Sequence, residues 1–186
     1  VSEIDRSGVS VSNAGDVNGD GMDDLIIGAN YASPNDRTEA GSSYVVFGSN
    51  ISLPNPLNLS TLNGTNGFVI NGVNASDNSG RSVSQAGDVN GDGTDDLIIG
   101  AFSADANGNT DAGSSYVVFG SNTVFNPFNL SNINGLNGFV INGVNPTDNS
   151  GSSVSAAGDI NGDGKIDLLA GNAGTNSRLR SSSTKQ

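Results

Sequence analysis

Apolar residues in this chain fall in short runs, such as Leu97-Ile98-Ile99 and Val117-Val118-Phe119, set between stretches dominated by Gly, Asn, Asp and Ser. Gly and Asn interrupt every window long enough for a helix, so helix is disfavoured throughout. Runs of this length, rich in Val, Ile, Phe and Tyr and bounded by turn formers, predict strands. In the best-defined stretch these cover 81–87, 96–101, 114–120 and 139–144. Asn-Gly pairs at the junctions suit tight turns with positive φ. The compact runs lack clean apolar–polar alternation, which predicts strands buried on both faces.

The pattern repeats. Residues 16–29 and 88–101 differ only where Met22 is replaced by Thr94, and 40–50 is identical to 112–122. Residues 66–74 match 137–145, and a third copy runs from Gly151 to about Gly171. Four antiparallel strands in a repeat of 72 residues describe the blade of a β-propeller. The expected fold is therefore all-β, a partial β-propeller of about two and a half blades. Divided at the recurring loop, the segments are 1–15 (the end of a preceding blade or a first strand), 16–87, 88–158 and a truncated 159–172. A Ser- and Arg-rich tail, 173–186, is expected to be disordered. The Asn- and Pro-rich stretch 51–66 and its copy 123–137 read as the long loop of each blade. A ring needs ~4–8 blades, so the chain is expected to be a fragment or to close by self-association.

Each copy carries one acidic loop: Asp16-Val-Asn18-Gly-Asp20-Gly-Met22-Asp-Asp24, Asp88-Val-Asn90-Gly-Asp92-Gly-Thr94-Asp-Asp96 and Asp159-Ile-Asn161-Gly-Asp163-Gly-Lys165-Ile-Asp167. Alternate residues of a tight loop point the same way, so positions 1, 3 and 5 are expected to converge. The carbonyl of position 7 (Met22, Thr94, Lys165) and the acid at position 9 complete an all-oxygen shell. Crowded carboxylates repel one another unless a hard cation sits between them, and a flexible all-protein oxygen set favours Ca²⁺ over magnesium. An EF-hand or dockerin is the rival reading. It is disfavoured because position 12 is Ile27, Ile99 or Ala170 rather than a bidentate Glu, and because a short β run follows instead of a helix.

Composition sharpens this. Of the 19 acids, nine stand at positions 1, 5 and 9 of the loops, so the net charge of −12 largely reflects them. That charge argues against nucleic acid and anionic membranes as partners, and no apolar run approaches the ~20 residues of a membrane span. Without His or Cys, the usual zinc, copper and haem ligand sets are missing, as is a Ser-His-Asp triad. No catalytic residue is assigned, because the paired acids are already committed to the loops. Asp23 and Asp95, at position 8, read as exposed acids outside the shell. Asp148-Asn-Ser150-Gly-Ser152 matches the Asp-x-Ser-x-Ser metal motif, but only Asp-x-Ser-Gly recurs at Asp77 and Asp5, which reads as a turn into the first strand.

Phe47-Gly48 and Phe119-Gly120, with Gly28-Ala29 and Gly100-Ala101, resemble the naming residues of the FG-GAP repeat family, the repeats of the integrin α-subunit propeller. The Pro of Gly-Ala-Pro is replaced by Asn30 and Phe102. The resemblance covers residues 1 to about 172. It implies a propeller with calcium in the turn between the first two strands of a blade, in extracellular proteins that adhere to partners. The uniform Asn- and Gly-rich copies look more like a bacterial surface or secreted member. A non-catalytic, calcium-binding segment of a cell-surface adhesion protein is the expectation, with an unidentified protein or carbohydrate ligand. The alternative is an accessory binding domain of a secreted hydrolase, lyase or phospholipase, since such propellers also occur beside catalytic domains.

Overall fold

A computed structural model describes residues 5–123, 126–160 and 166–172. Its regular structure is β-strand with four single 3₁₀ turns. The first sheet holds β1 (Ser10–Gly15), β2 (Asp24–Ala29), β3 (Ser42–Val46) and β4 (Gly67–Asn71), consecutive and antiparallel. The second repeats the plan with β5 (Ser82–Gly87), β6 (Asp96–Ala101), β7 (Ser114–Val118) and β9 (Gly138–Asn142). In the third, β10 (Ser153–Gly158) pairs with β11 (Asp167–Gly171). Between β7 and β9 the chain forms β8 (Phe128–Asn129), which leaves the second sheet and pairs parallel with β4 of the first.

The strands before and after each acidic loop are hydrogen-bonded partners. The sheets therefore begin at residues 10, 82 and 153, one strand ahead of divisions drawn at the loops, and segment 1–15 supplies a first strand. Three strands also differ in extent from the sequence pattern, the run 81–87 by beginning one residue later at Ser82. The run 114–120 is regular strand to Val118, the Phe119 amide still reaches the Asn137 carbonyl at 3.1 Å, and the Gly120 amide then turns away to donate to Asp96 Oδ1 at 2.8 Å. The run 139–144 begins one residue earlier, at Gly138, and ends at Asn142, although the Gly143 amide still donates to the Gly113 carbonyl opposite it at 2.8 Å. The tail beyond 172 lies outside the described residues.

The sheets stack face to face, and the apolar runs explain why. Ala14, Ile26, Val45, Phe68 and Ile70 of the first sheet meet Val83, Leu97, Ile99, Tyr116 and Val118 of the second in one core. Ala86, Ile98 and Val117 on the opposite face of the second sheet pack with Val154 and Leu168 of the third. The middle sheet is thus covered on both faces, and Leu97, Ile98 and Ile99 are 1%, 0% and 0% exposed. Leu25 of the first sheet, which matches Leu97, and Leu169 of the third, which matches Ile98, rise to 39% and 56%, since each looks away from its one neighbour. Serine hydroxyls stitch the first strands together: Ser10 Oγ accepts the Val83 amide at 3.1 Å, and Ser82 Oγ accepts the Val154 amide at 2.8 Å.

Candidate metal loops

Each acidic loop is entered through a β-bulge at the end of its first strand, where Gly15, Gly87 and Gly158 take φ of 69°, 68° and 70°. That left-handed step is natural to glycine and turns the chain sharply out of the sheet. In the first loop, Asp16 Oδ1 and Asn18 Oδ1 both accept the Asp20 amide at 2.9 Å. Asp16 Oδ2 accepts the Gly21 amide at 2.8 Å, and Asp20 Oδ1 accepts the Met22 amide at 2.9 Å. Positions 1, 3 and 5 thus turn oxygens onto the loop's own amides. The second loop repeats this: Asp88 Oδ1 and Asn90 Oδ1 accept the Asp92 amide, Asp88 Oδ2 that of Gly93, and Asp92 Oδ1 that of Thr94.

Position 9 is different in kind. Asp24 and Asp96 are 3% and 0% exposed, at the first residue of β2 and β6. Asp24 spans two elements, accepting the Val17 amide at 3.1 Å and the Gly48 amide at 2.8 Å. Asp96 does the same with Val89 and Gly120, both at 2.8 Å. Burial pushes both carboxyls up to about 6, against the pull of those amides, and in Asp24 the nearby charges of Asp20 and Asp16 push the same way. In the third copy Asp167 Oδ2 accepts the Ile160 amide at 2.8 Å, matching the first two, and Asp159 stands at the loop's start. Asn161, Asp163 and Lys165 lie outside the described residues.

Does this set fit a cation? Among the described residues no three acidic side chains are gathered tightly enough to grip an ion as they stand. The donor set itself suits a hard cation: oxygens only, and a carboxylate oxygen that accepts one amide keeps a further lone pair. Met22 and Thr94 are half-buried at the turn, where their amides fix the position-5 acids.

Sequence reasoning placed Asp95 among exposed acids. Instead it is half-buried, and its Oδ2 accepts the Asp16 amide at 2.9 Å across the gap between blades. Asp23, its counterpart, is exposed as expected. The Asp-x-Ser-Gly segments are turns, as read: Asp77 Oδ2 and Asp148 Oδ2 each accept the amide three residues earlier at 2.9 Å.

Asp77 is only 4% exposed, and burial raises its proton affinity, with Asp105 adding to the effect and Arg37 opposing it. The folded state thus holds this proton more tightly than the unfolded chain does. Stability from this group is present below the ordinary value of 3.8 and is lost as pH rises through the raised folded value. Asp77→Asn is expected to melt higher than the wild type at pH 7, with the difference shrinking toward pH 4. Thermal circular dichroism across pH checks this, and a pH-independent difference would contradict it.

Stacked four-stranded antiparallel sheets, each with an acidic loop between its first two strands, define a partial β-propeller. The family model described as FG-GAP repeat matches residues 7–46, 79–118 and 150–181, and the chain belongs to that family. The naming residues have visible jobs. Phe47 packs on Phe68 with ring centroids 5.9 Å apart, the Gly48 amide holds Asp24, and Gly28 lies against the Gly80 carbonyl of the next blade.

The chain is also similar to phosphatidylinositol-glycan-specific phospholipase D. With the Bos taurus protein it shares 31% identity over 166 residues, 89% of this chain and 18% of that protein. With the Rattus norvegicus protein it shares 36% over 106 residues, 57% of this chain and 12% of that one. The chain thus spans less than a fifth of the length of these relatives.

Proposed function

We propose that this chain is a calcium-stabilised, non-catalytic propeller segment that serves an extracellular protein as a binding module. The observation that carries the reading is the repeated loop, with acids and an amide oxygen at positions 1, 3 and 5 gathered over a buried acid at position 9. Calcium would be held by Asp16, Asn18, Asp20, Asp24 and the Met22 carbonyl, by Asp88, Asn90, Asp92, Asp96 and the Thr94 carbonyl, and by the third set, Asp159, Asn161, Asp163, Asp167 and the Lys165 carbonyl. Its chemistry there is charge neutralisation, which relieves carboxylate repulsion and fixes the hairpin. Isothermal titration should find up to three sites with Kd of ~10⁻⁴–10⁻³ M, the range of extracellular modules. Absence of calcium heat at millimolar concentrations would refute the reading.

Two settings suit such a module. The similarity to phospholipase D proteins favours an accessory segment beside a catalytic domain that lies outside this chain. The family resemblance supports the other, a surface adhesion protein with a protein or carbohydrate ligand. Among the described residues no helix is long and apolar enough to cross a membrane, which says nothing of a β-barrel. Sequencing the whole gene separates the settings: a phosphodiesterase-type domain supports the first, further repeats with a surface anchor the second.

A further inference from the structure

We infer that Asp95 is a latch between adjacent blades that pre-positions the cation loop of the blade before it, an inference that rests on the cation reading above. Two hydrogen bonds make the latch. Asp95 Oδ2 accepts the Asp16 amide at 2.9 Å, and the Asp95 amide donates to the Asp16 carbonyl at 3.0 Å. One residue of the second blade thus grips both sides of position 1 in the first loop. Alongside, the Ser121 amide donates to the Val17 carbonyl at 2.8 Å, so the next residue is held by the second blade too.

The approach is close enough that a side chain at Gly15 would displace the Asp95 carboxylate. A Cβ on Gly15 would lie 2.2 Å from Asp95 Oδ2 and 2.6 Å from Gln85 Nε2. The following residue, Asp96, is the buried acid of the second loop. A single dipeptide therefore joins the last ligand of one loop to the first ligand of its neighbour. Binding is tighter where the ligands are already held in place, because less ordering remains to be done.

The two remaining copies supply the comparison. At position 8 of the third loop stands Ile166, which sits over Gly87, 2.7 Å from where its Cβ would be, and offers no acceptor to the second loop. Asp23, in the first blade, is exposed. The joints are therefore unlike: the first loop is latched from outside by a carboxylate, the second is backed by an apolar side chain.

The test isolates the first loop in the intact chain by Asp88→Ala with Asp159→Ala, then adds Asp95→Ala, Asp95→Asn or Asp23→Ala. Calcium is titrated calorimetrically, and amide hydrogen exchange at Asp16 is followed without calcium. Asp95→Ala is expected to weaken the first loop about tenfold and to speed exchange at Asp16. Asp95→Asn keeps an acceptor oxygen and is expected to stay within about threefold of the parent. Asp23→Ala removes the same charge beside Asp24 and is expected to leave affinity unchanged.

Equal losses in Asp95→Asn and Asp95→Ala would make the effect one of charge and overturn the latch, as would parental affinity in Asp95→Ala. Should Asp95→Ala unfold, Asp95→Ser, which shortens the acceptor, replaces it. If the wild-type chain takes up no calcium, the cation reading fails, and exchange at Asp16 alone then decides the latch: an unchanged rate in Asp95→Asn and a faster one in Asp95→Ala or Asp95→Ser supports it, an unchanged rate in all refutes it.

Discussion

Adding 10 mM calcium to chelated protein should raise its melting temperature by about 10 °C or more. At Kd of ~10⁻⁴–10⁻³ M, that concentration stabilises each loop by roughly 1.4–2.7 kcal/mol. Three loops give about 4–8 kcal/mol, and a domain of this size shifts by about 2–4 °C per kcal/mol. The buried acids at position 9 make the direction firm, because Asp24 and Asp96 sit out of water beside other carboxylates. The triple variant Asp16→Ala, Asp88→Ala, Asp159→Ala should melt at one temperature with calcium or EGTA. A wild-type chain that also melted at one temperature would remove the metal from the account.

The second large effect concerns stacking. A Cβ at Gly100 would lie 1.9 Å from the Gly151 carbonyl oxygen of the next blade, and backbone cannot step aside as a flexible side chain can. Gly100→Ala is therefore expected to destabilise by about 3 kcal/mol, with a melting point lower by roughly 6–12 °C. Gly171 holds the same place in the third blade, and a Cβ there would meet nothing nearer than the Ser153 carbonyl oxygen at 3.5 Å. Gly171→Ala should be close to neutral. Parallel thermal melts of the two variants check this, and equal melting points would show that the sheets can part without cost.

Most of the fold was legible because the information is local and repeated three times. The strand at 96–101 agrees with its predicted extent, since an acid begins it, a glycine and an alanine end it, and its core is uniformly apolar. Strand ends set by distant partners were not legible. The chain stops pairing after Phe119, whose amide still reaches the Asn137 carbonyl, because the next amide is drawn to Asp96, a contact across 24 residues. At the loops, the repeated residue types and spacing singled out the same positions in every copy, and in the first two the side chains at 1, 3 and 5 fold onto the loop's own amides. Nothing local announced Asp95, whose partner is 79 residues away on another blade. The strand β8 was missed for the same reason: Phe128 and Asn129 look like loop until the edge of β4 is brought beside them.

That crossing strand has a consequence for how the molecule comes apart. Around it, Asn126 clasps the first blade twice, its Oδ1 accepting the Val69 amide and its Nδ2 donating to the Leu62 carbonyl, both at 3.0 Å. The first two blades are thus sewn into one cooperative unit, and a protease that nicks the exposed 74–76 turn should leave halves that still cling together. Pulled by its ends in an optical trap, the first two blades should give way together in a single rip rather than one after the other.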